Sequence, residues 1–361
     1  MCRGCGAQIQ LQHLLARKDK LFVNAVQDTG KETYIKIKYF VVYQQESDNP
    51  TLEQIKAQHQ VINDDINMQN SDTYKVPTSG KYAFSDVRGS MSLFFLPKFS
   101  ENLTEVEIVR IQSDSIPAGG FDGIDSVEDF INGIGYSVPE KNIMNVYIVP
   151  LNGSENIIGQ AYLMSNRIAI VPGTLPGSKV LLGQNTGRTA THEIGHALGL
   201  PHTFQGTCDE PAFFSDIPLQ KLPNNTGATL FETESGWEGI SDNRFRDCNQ
   251  PNYNLQDLSP PYSCLDVVGC ATTNYEMFMN FMDYNVDKNL IMFSQQQTKA
   301  AREFIYSSDV FTLLFDTAET VPKNNSVIWI SLGIVLGIVL IVALTVYFVR
   351  RKKKQTRTSP T

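Results

Sequence analysis

One run of eleven residues limits what this chain can be: His192-Glu193-Ile194-Gly195-His196-Ala197-Leu198-Gly199-Leu200-Pro201-His202. Residues four apart share one face of an α-helix, so His192 and His196 can aim both imidazoles at a single ion. Glu193 sits beside the first of them and brings a carboxylate to the same place. Gly199 can take the left-handed conformation that ends a helix, and Pro201 keeps the helix from resuming. The chain therefore turns and delivers His202 as a third ligand. Three nitrogen ligands leave the fourth position of a tetrahedral Zn2+ open, which marks a catalytic site rather than a closed structural one. Ile194, Ala197 and Leu198 form the buried stripe of this helix. The remaining histidines, His13 and His59, have no ligand spacing and read as ordinary polar positions.

The full pattern H-E-x-x-H-x-x-G-x-x-H is the extended signature of the metzincin metallopeptidases. In that superfamily a tight turn places a methionine beneath the metal, and Met279-Asn280-Phe281-Met282-Asp283-Tyr284 fits it, with Met282 as the turn methionine. Methionine is common in cores, so this segment gains its meaning from the histidine motif before it. Tyr284 matches a tyrosine that in several metzincin families lies near the metal and can hydrogen-bond a developing oxyanion.

Flanking residues narrow the resemblance. His202-Thr203-Phe204-Gln205-Gly206-Thr207-Cys208, then Ser215-Asp216-Ile217-Pro218, then Asn280-Phe281-Met282-Asp283-Tyr284 resemble the pappalysin family, and its cytophagalysin and ulilysin-like branch in particular. Tyr39-Phe40-Val41-Val42-Tyr43 and the stretch 52–67 look like that branch's opening strand and first helix. Asn145-Val146-Tyr147-Ile148-Val149-Pro150 and Ile157-Ile158-Gly159-Gln160-Ala161 look like its strand pair bordering the cleft. The likeness covers roughly residues 1–305 and is strongest from 140 to 300.

This resemblance implies an α+β, metzincin-type zincin fold. A mixed twisted sheet and the active-site helix would form an upper subdomain to about residue 199. An irregular, disulfide-braced lower subdomain would follow from 200. It implies a zinc endopeptidase in which His192, His196 and His202 bind one Zn2+, Glu193 is the general base and Tyr284 steadies the oxyanion. The alternative is a catalytically silent, zinc-stabilised ectodomain for adhesion or recognition, against which the intact Glu193 argues. Relatives also bind Ca2+ in the lower subdomain. Asp209, Glu210 and Asp216 are oxygen ligands in that region, without a compact calcium loop. Relatives usually carry a cysteine within the stretch that here reads Val286-Asp287-Lys288-Asn289-Leu290, and none is present.

Six cysteines fall into two groups. Cys208, Cys248, Cys264 and Cys270 lie between the histidine helix and the methionine turn. They are read as two disulfides formed in an oxidising compartment, with three connectivities open and a structural zinc as the lesser alternative. Cys2 and Cys5 stand near the start. The resemblance assigns Cys5, within Arg3-Gly4-Cys5-Gly6-Ala7, to a latency switch whose thiolate occupies the open zinc position; a free thiol is the competing reading.

Charge and hydropathy organise the rest. The net charge is −8, yet the last twelve residues hold Arg350, Arg351, Lys352, Lys353, Lys354 and Arg357 and no acid, so the body is more acidic still. Such a body argues against nucleic-acid binding, which favours clustered Lys and Arg. Residues 327–349 carry no charge and as a helix would extend roughly 35 Å, enough to cross a bilayer. The basic run after them sets the tail on the cytoplasmic side and the catalytic body on the extracytoplasmic side. Gly333 and Gly337 form a G-x-x-x-G, a permissive pattern for helix dimerisation. No apolar leader is visible at the N-terminus, which leaves the route of translocation open.

The expected organisation is a pro-segment (1–30), a catalytic domain (31–315), a juxtamembrane linker (316–326), a transmembrane helix (327–349) and a basic tail (350–361). Within the catalytic domain, patterning predicts strands at 34–43, 91–97, 106–111 and near 145 and 168. Helices are predicted at 51–68, 127–134, 186–198 and 294–305, with mostly irregular chain from 200 to 295.

Overall fold

The strand Thr33–Tyr43, β1, is almost unbroken in apolar and aromatic residues, and the main sheet is built around it. Ile35, Ile37, Tyr39 and Val41 enter one core layer, while Phe40 and Val42 enter the other. A strand covered on both faces reads as a continuous hydrophobic run rather than an alternation. Lys36 and Lys38 interrupt the run: Lys36 is exposed, and the buried Lys38 is neutralised by Glu107 and Glu140, each 2.7 Å from its Nζ.

The computed structural model describes residues 31–80, 82–97, 107–152, 157–205, 213–218, 229–233, 236–240 and 276–315. Along the chain β1 is followed by α1 (Leu52–Ile66), β2 (Arg88–Gly89), β3 (Leu93–Pro97), β4 (Ile108–Gln112) and α2 (Ile124–Gly133). Then come β5 (Met144–Ile148), β6 (Gly159–Ala161), β7 (Arg167–Ile170) and α3 (Arg188–Ala197). The series closes with β8 (Thr229–Thr233), β9 (Gly236–Ile240), β10 (Phe293–Ser294), α4 (Gln295–Ser307) and β11 (Leu314–Phe315).

Seven strands make a mixed sheet ordered β11-β1-β5-β7-β6, with β3 and β4 both paired to β1. β3 pairs Thr33 through Ile37 and β4 pairs Tyr39 through Tyr43, both parallel. β5 runs parallel to β1 and β7 parallel to β5, whereas β6 is antiparallel to β7 and ends the order. Helices cover both faces. Ile55, Ile62 and Ile66 of α1 share a core with Ala190, Ile194 and Ala197 of α3 and with one face of β1. Ile124, Val127 and Ile131 of α2 pack on the opposite face with Phe40, Tyr147 and Val149. Capping boxes start α1 (Thr51 and Gln54) and α4 (Ser294 and Gln297), satisfying backbone N–H groups that the first turn leaves unpaired.

The expected α+β, mixed-sheet architecture is present, and each of the four expected helices is found within a few residues of its predicted range. Three details differ. The strands at 145 and 159 do not pair with each other, because β7 returns between them. The stretch after residue 200 holds a hairpin, β8 with β9, instead of irregular chain alone. Its strand-forming Thr229, Phe231 and Thr233 are too short a run to stand out among the surrounding Pro and Asn. Asp216, one of the candidate calcium ligands, accepts the Ser294 hydroxyl (2.8 Å) and the Gln296 N–H (2.9 Å), so it closes the N-terminus of α4.

Among the described residues no helix is long and apolar enough to cross a membrane. The expected span 327–349, Gly333 and Gly337, the basic tail, the pro-segment with Cys5, the four candidate disulfide cysteines, Asp209 and Glu210 all lie outside the described residues.

Candidate metal centre

α3 brings His192 and His196 together, as the i, i+4 spacing requires. The helix ends at Ala197 in a Schellman turn: the Gly199 N–H donates to the His196 carbonyl (2.8 Å) and the Leu200 N–H to the Gly195 carbonyl (2.9 Å). Gly199 has φ +91°, a conformation that side chains other than glycine's rarely adopt. This turn also brings His202 back against the other two imidazoles, its ring centroid 5.2 Å from that of His192 and 4.4 Å from that of His196. Imidazole nitrogens of His192, His196 and His202 all lie within 4.8 Å of one another.

Second contacts fix which nitrogen each ring offers. His192 donates Nδ1–H to the Phe281 carbonyl (2.6 Å), and His196 donates Nδ1–H to the Leu200 carbonyl (2.7 Å). With Nδ1 protonated, each neutral ring carries its lone pair on Nε2. His196 Nε2 and His202 Nε2 are 3.0 Å apart. His192 Nε2 is buried without a hydrogen-bond partner. Buried nitrogens are normally satisfied, so converging lone pairs call for a cation among them, and imidazoles suit a divalent transition ion.

Electrostatics favour the same form. Burial pushes His192 down to about 4, with the Phe281 carbonyl only partly opposing it. His196 and His202 are driven well below the ordinary imidazole range, first by burial and then by neighbouring imidazoles. Neutral imidazole is the form that ligates metal.

The segment Asn280–Asp283, expected to hold the turn methionine, forms a tight turn. Asn280 shapes it: its carbonyl accepts the Asp283 N–H (3.0 Å), and its side-chain oxygen accepts the Met282 N–H (2.9 Å). The Met282 carbonyl accepts the Thr203 N–H (3.1 Å), tying the turn to the residue after His202. Tyr284 meets the His202 ring edge-on at 4.9 Å and lies tilted 5.7 Å from the ring of His192. Glu193 is 1 % exposed and faces Gly159 of β6, where a β-carbon would fall 2.5 Å from Glu193 Oε1. A cleft opens beside them, walled by Thr189, His192, Glu193, Tyr284, Asn285 and Leu290.

Three further residues build the site without having been singled out from the sequence. Phe204 stacks on His202 at 4.6 Å with planes 11° apart. Gly159 gives Glu193 its room. Arg188, in the first turn of α3, reaches Asp65 (3.1 Å), Asp72 (3.0 Å) and the Leu290 carbonyl, with its guanidinium 5.1 Å from the Phe281 ring centroid. A cation at a helix N-terminus opposes the helix dipole, and that anomaly is the signal the sequence offered. Asp65 also accepts the Thr191 hydroxyl (2.7 Å). Burial pushes its carboxyl up to about 7, against the opposing pull of Arg188. His59, read as an ordinary polar position, is instead a buried residue held near Tyr39 and Asn63.

With the geometry in place, similarity to known proteins acquires meaning. Residues 134–306 match the peptidase family model described as pregnancy-associated plasma protein-A. The chain is 34 % identical over 89 residues to an extracellular metalloprotease of Arthroderma benhamiae, covering 21 % of this chain and 32 % of that protein. It is 51 % identical over 76 residues to one of Neurospora crassa, covering 20 % and 26 % respectively. The chain therefore spans about a third or less of the length of these relatives. A mutant promirolysin of Tannerella forsythia superposes with a TM-score of 0.60 at 19 % identity, over 83 % of this chain and 89 % of that one. Mature mirolysin in complex with a cleaved peptide gives 0.54 at 21 %, over 77 % and 98 %. At such identities the likeness establishes the fold.

Proposed function

Because this chain belongs, through residues 134–306, to the pappalysin family of metzincin metallopeptidases, we propose that it is a zinc-dependent endopeptidase that hydrolyses peptide bonds in proteins. The observation that carries this is the convergence of three buried, neutral imidazoles on one point beside the Glu193 carboxylate. Zinc held by His192, His196 and His202 supplies Lewis acidity toward a carbonyl oxygen and lowers the pKa of water toward about 7. Glu193 takes a proton from the attacking water and delivers it to the leaving amine. Its near-complete burial strengthens each charge interaction it makes. Tyr284 donates its hydroxyl to the developing oxyanion, a role supported by its ring contacts with two of the three histidines. Met282 supports the histidines from below.

The remaining assignments rest on the sequence. Residues 327–349 anchor the chain in a bilayer, as their length, lack of charge and basic stop support. The catalytic domain then faces the extracytoplasmic side, in keeping with the extracellular relatives. Cys208, Cys248, Cys264 and Cys270 form two disulfides, and the Cys5 thiolate holds the zymogen latent.

The test is a casein hydrolysis assay on native chain and Glu193→Ala, each with zinc content measured and with and without chelator. Native activity lost to chelator and restored by zinc, with Glu193→Ala inactive but zinc-loaded, supports the reading. A native chain that binds zinc and cuts nothing marks a silent ectodomain.

A further inference from the structure

The loop ahead of the zinc helix, between the 3-10 turn Pro172–Thr174 and α3, is unusual for what it exposes. Val180 and Leu182 are 78 % and 81 % exposed, the two most exposed of the large hydrophobic side chains identified among the described residues. The loop is held by its own hydrogen bonds. The Ser178 N–H donates to the Leu175 carbonyl (3.1 Å), the Gln184 N–H to the Leu181 carbonyl (2.9 Å), and the Gly187 N–H to the Thr174 carbonyl (3.2 Å). Leu181, between the two exposed residues, turns inward onto Gly173. The next residue, Gly183, faces Val286, and its carbonyl accepts the Asp287 N–H (2.8 Å). Gln184 lines the cleft beside Glu193. Two exposed apolar side chains therefore stand in the loop segment that ends at the cleft-lining Gln184, Leu182 only two residues before it.

We propose that Val180 and Leu182 form a substrate-binding rim, gripping apolar side chains of an extended polypeptide at positions two or more residues from the scissile bond. The proposal rests on the peptidase reading above and adds a specificity determinant to it. Continuity along the chain favours this occupant, since Gln184, two residues after Leu182, lines the cleft. A bilayer surface would call for a basic cluster beside the apolar residues, and within this loop only Lys179 accompanies them before Arg188. Two aliphatic side chains also fall far short of the roughly 800 Å² per partner that a stable dimer buries.

Binding separates this proposal from turnover. In the full-length, zinc-loaded Glu193→Ala chain, fluorescein-labelled casein is titrated and followed by polarisation, with and without the added pair Val180→Ser and Leu182→Ser. The pair is expected to weaken casein binding about five- to tenfold. Tyr136→Ser, which removes a half-exposed aromatic on the α2 side of the domain, should leave it unchanged. Equal casein affinity with and without the pair overturns the proposal, as does failure of the Glu193→Ala chain to bind casein at all. A loss of binding to phosphatidylcholine vesicles, or of concentration-dependent dimerisation, with casein affinity intact overturns it in favour of those occupants. Absence of casein hydrolysis by the native chain counts against the peptidase reading alone, because the polarisation result does not depend on turnover.

Discussion

Met282 Sδ lies so close to the backbone of Gly195 that no β-carbon fits between them. Gly195 sits one residue before His196, the proposed ligand, so this contact sets how closely α3 rests on the turn that holds Met282. Gly195→Ala should force Met282 away or lift the helix. Overpacking of this kind costs about 1–3 kcal/mol. Thermal unfolding of the zinc-loaded variant, with zinc stoichiometry measured alongside, checks it; a native Tm with full zinc content would show that the turn yields freely.

Gly159 stands in the same relation to Glu193, the proposed general base. A β-carbon there would meet Glu193 Oε1 at 2.5 Å and Thr189 Cγ2 at 2.9 Å. Displacing a catalytic group by an ångström costs about a hundredfold in rate, so Gly159→Ala should lower kcat roughly 10- to 100-fold. His192 and His196 are each held separately, by the Phe281 and Leu200 carbonyls, and zinc content should stay at one per chain. Loss of zinc together with activity would mean that the whole helix moved.

The two glycines show where legibility in the sequence ends. The clustering of His192 and His196 was readable because they lie four residues apart, and helical geometry alone brings them together. His202 needed only a helix stop, and Gly199 with Pro201 announced one. Met282 and Tyr284 were readable only once that motif had given them a context. What Gly159 and Gly195 touch lies 34 and 87 residues away in the sequence, and nothing local predicts such contacts. Arg188 is similar, since its partners Asp65 and Asp72 come from the first helix and the turn after it. β6 and β5 were found but not their order, because strand order depends on where β7 returns.

His59 gives a pH-dependent stability whose sign is fixed. Burial lowers its pKa to about 4 from an ordinary 6.5, so the unfolded chain binds the proton first. Stability is complete above pH 6.5 and is lost as pH falls toward 4. The full difference is about 3 kcal/mol. His59→Gln keeps a polar side chain near Tyr39 and Asn63 but does not titrate. Its urea-unfolding free energy should therefore fall less than the native chain's between pH 6.5 and 4.5, whatever its absolute value. Parallel pH curves for the two proteins would remove His59 from the account.

Arg188 joins three elements at one guanidinium: Asp65 from α1, Asp72 from the turn beyond it, and the Leu290 carbonyl from the segment following the methionine turn. Arg188→Ala leaves the Asp65 carboxyl buried with its cation gone, and breaking a buried pair from one side costs about 3–5 kcal/mol. Arg188→Lys restores the charge but not the fork, since the three N–H groups of an ammonium sit on one nitrogen and cannot span acceptors that three separate guanidinium nitrogens reach; it should recover less than half of that loss. Linkage supplies a second signature. The Asp65 carboxyl already titrates high, at about 7, so the folded state holds its proton longer than the unfolded chain, and stability falls as pH rises from about 4 to 7. Without Arg188 the same carboxyl titrates higher still, and the decline should continue past pH 7. Urea unfolding of the three zinc-loaded proteins between pH 5 and 9 measures both effects. A lysine variant as stable as the native chain would mean that charge alone, and not the three-way geometry, fastens the zinc helix to its neighbours.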